Sequence, residues 1–184
     1  MTDESAPAPV FGIAGWKNSG KTTMTERLVA AITARGFRVA TVKHAHHAFD
    51  IDHEGTDSHR HRTAGAVETA LVSGRRWAVM HELRDEAEPS LEEILARLSP
   101  CDLVLVEGYK RTPLPKLELR RSSAARGEPL SPGDPHVVAI ASDSAVADTA
   151  LPVYHLDDID GIASFILTTC GLSGTRHGSD QTTA

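Results

Sequence analysis

Val10-Phe11-Gly12-Ile13-Ala14-Gly15-Trp16-Lys17-Asn18-Ser19-Gly20-Lys21-Thr22-Thr23 joins a short apolar run to a polar turn bounded by glycines. The spacing Gly15, Gly20, Lys21, Thr22 fits the phosphate-loop pattern G-x-x-x-x-G-K-[ST]. The residue types follow from the chemistry. Glycines let the backbone bend until successive N–H groups converge on an anion, where side chains would crowd. Lys21 adds a point charge for β- and γ-phosphates, and the Thr22 hydroxyl is a hard oxygen ligand for Mg²⁺. Beyond the turn, Met24, Leu28 and Ile32 recur at helical spacing, and Gly36 stands where a C-cap would. The helix aims its positive end at the same anion. Strand, glycine loop and helix in this order predict a nucleotide-binding α/β domain.

Outward from the loop, unbroken apolar runs alternate with amphipathic helices. Phe37 to Val42 reads as a strand, Glu68 to Val72 and Trp77 to Leu83 as two more, and Asp102 to Gly108 as a wholly apolar one closed by an acid and a glycine. Ser90-Leu91-Glu92-Glu93 is a capping box, followed by the apolar face Leu91, Ile94, Leu95 and Leu98. Lys116 to Arg120 alternates in the manner of an edge strand. His136 to Ala141 reads as buried, and Val153 to Leu156 as a short last strand. Asp157 or Asp158 caps a final helix carrying Ile159, Ile162, Ala163 and Ile166, with Gly171 at its end. The pattern predicts a doubly wound, mostly parallel sheet of the phosphate-loop type, three layers α/β/α, with a small edge β extension. Residues 1–9 read as a flexible leader, 10–170 as the nucleotide-binding domain, 122–135 as a mobile loop and 171–184 as a disordered tail.

Composition narrows the function. With 184 residues and a net charge of −6, and with no basic stripe, the chain is not expected to bind nucleic acid or anionic membrane. The acidic, polar N-terminus is not that of a signal peptide, and no apolar run reaches the length of a membrane span. Cys101 and Cys170 form no C-x-x-C pair, consistent with a reducing cytosol and a cytoplasmic protein.

Ligands of a doubly wound sheet sit at the carboxyl ends of its strands. That rule selects Lys43 and His44, Glu107 and Gly108, and Ser142 and Asp143 beside the loop. Glu107 takes the place of the strand-end acid that holds Mg²⁺ or its water. Asp102 begins the same strand, roughly 17 Å away, so it cannot serve the same ion. Asp143 is placed to accept the N1 and N2 hydrogens of guanine, although N-K-x-D is absent and an ordinary turn aspartate reads equally well. The segment from Lys43 to Arg62 holds six of the ten histidines, interleaved with Asp50, Asp52, Glu54 and Asp57. A switch loop ordering Lys43 and Asp57 around a γ-phosphate, a metal site on His44, His46 and His47, and a solvated loop without a role all fit it.

G-W-K-N-S-G-K-T-T, V-K-H-A-H-H-x-F-D-I-D-x-x-G-x-D-S, R-x-A-G-A, D-L-V-L-V-E-G-Y-K and A-I-A-S-D, in that order from Gly12 to Asp143, resemble the MobB family of molybdopterin-guanine dinucleotide biosynthesis adapter proteins. The resemblance implies a weakly hydrolysing, GTP-binding homodimer. Its expected partners are the molybdenum cofactor guanylyltransferase, which joins GMP to molybdopterin, and molybdopterin-carrying proteins. Carried over by position, phosphates fall to Gly15, Asn18, Ser19, Gly20, Lys21, Thr22 and Thr23, and Mg²⁺ to Thr22 and Glu107. Lys21, Asp57 and Glu107 become candidates for the hydrolytic step, Lys43, Asp57 and Arg62 for the switch segment, and Lys110 for the rim. Thr56 departs from the lysine that many members carry there. The competing readings are a nickel metallochaperone GTPase, suggested by the histidines, and a small-molecule kinase using Arg111, Arg120, Arg121 and Arg126 as a lid.

Overall fold

The computed structural model describes residues 7–45, 49–124, 127–147 and 149–172. They fall into two compact units, 1–44 with 99–184, and 45–98 within the 10–170 stretch. His46, His47, Arg126, the first six residues of the leader and the tail beyond 172 lie outside the described residues.

The larger unit is built on a six-stranded sheet of β1 (Val10–Gly15), β2 (Val39–Lys43), β5 (Leu103–Glu107), β6 (Lys116–Arg120), β7 (Val137–Ser142) and β8 (Val153–His155). Their order is β2-β5-β1-β6-β7-β8, and every pair is parallel. α1 (Lys21–Ala34) and α4 (Ile159–Thr169) pack on one face of it. Met24, Leu28 and Ile32 of α1 meet Phe11, Ile13, Leu105, Leu117 and Ala139, with Ile162 and Ile166 of α4 in the same core. The Asp158 side chain caps α4 by accepting from Gly161 N at 3.0 Å. A parallel sheet needs such cover because its strands are apolar on both faces.

β6 corrects the edge-strand expectation. It lies inside the sheet between β1 and β7, and Lys116 and Glu118 are each 1% exposed. Its polar residues are satisfied in place rather than solvated. Lys116 Nζ donates to Lys110 O (2.9 Å), Thr112 O (2.8 Å) and Asp134 Oδ2 (2.7 Å). Glu118 accepts from Leu130 N (2.7 Å), Ser131 N (3.1 Å) and Arg120 Nη2 (2.9 Å). Burying a charge is tolerable only with such partners. The same bonds fasten residues 130, 131 and 134 to the sheet.

The smaller unit holds α2 (Asp57–Thr63), α3 (Leu91–Leu95) and an antiparallel pair, β3 (Glu68–Val72) with β4 (Trp77–His81). The expected capping box is formed: Ser90 Oγ accepts from Glu93 N, and Glu93 accepts from Ser90 N. Arg62 gathers Asp50, Asp52 and Glu82 at 2.6–3.0 Å, pinning the segment before α2 to the helix. His81 bridges Glu68 and Glu86 at 3.0 Å each. Those two carboxylates, Glu68 first, raise the His81 pKa above its ordinary 6.5. A raised folded-state pKa means the contribution is full below the unfolded value and fades as pH rises through the folded one. Protection factors of the β3–β4 amides, which remove the intrinsic base-catalysed rise of exchange with pH, should therefore fall across that window, and His81→Gln should abolish that fall.

Candidate functional site

The turn after β1 winds as the sequence predicts. Ser19 N donates to Trp16 O at 3.1 Å, and Asn18 takes a left-handed φ of 65° that asparagine tolerates better than most residues. At Gly15, φ is 152° and an added Cβ would lie 2.5 Å from Ser19 Oγ and 2.9 Å from Leu119 O, so no side chain fits. Gly20, at φ 89°, turns the chain into α1.

Lys21 folds back over the loop, its Nζ donating to Gly15 O at 3.0 Å and Trp16 O at 2.9 Å. Burial lowers its pKa, Glu107 opposes that shift, and Lys110 and Lys43 add to it. The register explains the grouping: Glu107 on β5 lies opposite Ile13 of β1 and Lys43 of β2. Thr22 Oγ1 donates to Glu107 Oε1 at 3.1 Å, and Lys43 Nζ lies 3.4 Å from Thr22 Oγ1 and 3.7 Å from Glu107 Oε1. Gly108, at φ 103°, lets His44 approach, because a Cβ there would stand 3.0 Å from its Cβ and carbonyl oxygen. Two ammonium groups, Lys21 and Lys43, thus share one carboxylate, Glu107, and Lys110 adds a third positive charge that acts on Lys21, beside a helix N-terminus and a turn of backbone N–H groups. That excess of positive charge suits an anion.

Asp143, beyond β7, accepts from Ser122 N at 2.8 Å and from Ser122 Oγ at 3.0 Å. The Ser122 N–H is the main reason its carboxyl is held below the ordinary range. Each oxygen keeps a lone pair for another donor. Asp57 and Arg62 lie in the smaller unit. Asp57 is exposed in the first turn of α2, and Arg62 is committed to its three carboxylates. Among the described residues no group of His, Cys, Asp and Glu is arranged to hold a metal by itself. The proposed histidine site depends on His46 and His47, outside the described residues.

Sequence reasoning overlooked the surroundings of Trp16. Its Nε1 donates to Glu128 O at 2.9 Å, and Lys110 Nζ stands 4.3 Å from the ring centroid, a cation–π distance. Gly127 packs so closely that a Cβ would reach within 2.2 Å of the indole. Arg121 was read only as one of several lid arginines. Its guanidinium lies over Gly20, 3.1 Å from where a Cβ would stand. No local pattern links residues so distant in sequence; the only hint was a glycine inside a charged loop.

A parallel sheet carrying this loop between its first strand and first helix defines a phosphate-loop α/β protein. The family model for Molybdopterin guanine dinucleotide synthesis protein B matches residues 10–143, most of the chain. The chain belongs to the MobB family. It is 40% identical over 162 residues to the molybdopterin-guanine dinucleotide biosynthesis adapter protein of Escherichia coli K12, covering 86% of this chain and 91% of that relative. Identity to the adapter protein of Haemophilus influenzae is 37%, covering 86% and 87%. A MobB homologue from Bacillus stearothermophilus superposes with a TM-score of 0.63 at 29% identity, over 88% of this chain and 97% of that one. A crystal structure of molybdopterin-guanine biosynthesis protein B does so at 0.68 and 25%, over 88% and 99%.

Proposed function

We propose that this chain is a GTP-binding adapter and weak GTPase that assists the attachment of GMP to molybdopterin, working in the cytoplasm with the guanylyltransferase and molybdopterin-carrying proteins. The observation that carries this reading is the cluster of Lys21, Thr22, Lys43 and Glu107 around the loop, on a chain whose relatives are named as adapters of this biosynthesis. The N–H groups from Gly15 to Thr23 cradle the phosphates, and Lys21 exchanges its two carbonyl partners for β- and γ-oxygens. Thr22 and Glu107 are an all-oxygen pair of the kind Mg²⁺ accepts, the remaining positions going to water and phosphate. Mg²⁺ held by Thr22 and Glu107 would supply positive charge for the β- and γ-phosphate oxygens, where negative charge builds as the bond from Pγ to the bridging oxygen is cleaved. Asp143 accepts from guanine through its spare lone pairs. Within the larger unit, Lys43 is the candidate for sensing the γ-phosphate.

The homodimer is assigned to the β3–β4 ribbon. Val72, Trp77 and Val79 share one face of it and are 81%, 67% and 47% exposed. A two-stranded ribbon is marginal by itself, and the same face of a second copy supplies the missing apolar layer. Trp77→Asp should shift the mass measured by light scattering from dimer to monomer. An unchanged mass would remove the ribbon from the interface.

The partner is tested by a pull-down from the native cytosol with and without GTP, using Lys21→Ala as control. GTP-dependent recovery of the guanylyltransferase or a molybdoenzyme supports the adapter; recovery of neither counts against it.

A further inference from the structure

On the other side of the loop from Glu107, the ends of β6 and β7 enclose a cavity of about 190 Å³. Trp16, Ser19, Arg121, Ser122, Pro129 and Ser144 line it. It falls below the roughly 300–1,000 Å³ that houses a whole drug-sized ligand, so it suits one ring system of a longer molecule. Sheet order sets the direction. β5 and β2, with Glu107 and Lys43, flank β1 on one side, and β6 and β7 continue on the other. A triphosphate whose terminal phosphate meets Thr22 and Glu107 sends its remaining part toward β6 and β7.

Two buried donors at this cavity lack partners among the described residues. Ser19 is 1% exposed and its Oγ makes no hydrogen bond, nor does Arg120 Nε. Buried polar atoms are nearly always bonded, so orphans beside a cavity point to a ligand. Arg121, another lining residue, lays its guanidinium over Gly20 of the phosphate loop, within electrostatic reach of Asp143 and Asp157.

We infer that this cavity receives the nucleobase, and that Arg121 selects guanine by donating to its O6 and N7. The inference rests on the loop holding a nucleotide. A guanidinium only donates, so it complements two adjacent acceptors. Adenine presents N7 beside an amino donor, which leaves part of the guanidinium opposed by another donor. Asp143, whose two oxygens hold Ser122 at the cavity edge, meets the N1 and N2 side of the same ring.

Calorimetric titration of the full chain with Mg²⁺ and GTP, ATP or inorganic triphosphate tests this. Arg121→Ala is expected to weaken GTP by about 10- to 100-fold, with ATP and triphosphate nearly unchanged, so that the GTP-to-ATP preference collapses. Arg121→Lys should recover part of that preference. Equal losses for all three ligands would make Arg121 a phosphate contact and overturn the inference. Unaltered GTP affinity in Arg121→Ala would overturn it too. Triphosphate binding by the unmodified chain without preference between GTP and ATP would overturn the base site alone; failure to bind any of the three would remove the loop reading with it.

Discussion

Lys21→Ala is expected to lower GTP affinity on the order of 100-fold while leaving the fold intact, because a charge-assisted contact is removed without disturbing the core. The lysine is half-buried and, among the described residues, donates to the carbonyls of Gly15 and Trp16 within the loop. Losing those two bonds loosens the turn slightly, since both oxygens can take water. Losing the ammonium removes the charge that meets the phosphates most directly. Lys43 and Lys110 remain and weaken the loss for inorganic triphosphate only in part. Calorimetry reads the affinity, and an unchanged circular dichroism melt separates lost binding from lost structure. Equal GTP affinity in the variant would mean that the loop does not hold the phosphates.

The largest expected stability change lies away from the loop, at Asp134. Lys116 is almost fully buried, and among the described residues Asp134 is its only anionic partner. Asp134→Ala leaves an ammonium in the sheet with two carbonyl oxygens and no counter-charge, at a cost of about 3 kcal/mol. Chemical denaturation should show that loss as a lower midpoint. The double variant Lys116→Met, Asp134→Ala should regain most of it, since an apolar pair of similar size carries no desolvation penalty. Burial pushes the Asp134 carboxyl up, but Lys116 and the His136 N–H outweigh it and hold it below its ordinary value. A lowered folded-state pKa stabilises at higher pH, so the contribution disappears as pH falls through that value. If the double variant is no more stable than Asp134→Ala, the unpaired charge is not the cause.

These two sites differ in how far the sequence disclosed them. The loop, its strand and α1 were legible because their chemistry is local: glycines at the turn, an apolar run before it and a helical stripe after it. Glu107 and Lys43 could be placed from the rule that ligands meet strand ends, and the parallel register of β1, β2 and β5 brings them together. β6 was misread because alternating polar residues ordinarily mean one solvated face. Here the polar face is buried and satisfied by Asp134 and by backbone N–H groups of residues 130 and 131. Arg121 over Gly20 and the Trp16 contacts with Lys110 and Gly127 depend on long-range closure, which leaves no periodic trace. Asp143 was correctly placed at a strand end, but its bonds to Ser122 had no sequence signature.

The proposed role of this loop is to hold the nucleotide that serves the attachment of GMP to molybdopterin. Its most direct test is the guanylyltransferase reaction reconstituted with molybdopterin and Mg·GTP, measured with no addition, with this chain, and with Lys21→Ala. More guanine dinucleotide cofactor is expected with the unmodified chain and no gain with the variant. Equal stimulation by both, or by neither, would contradict it.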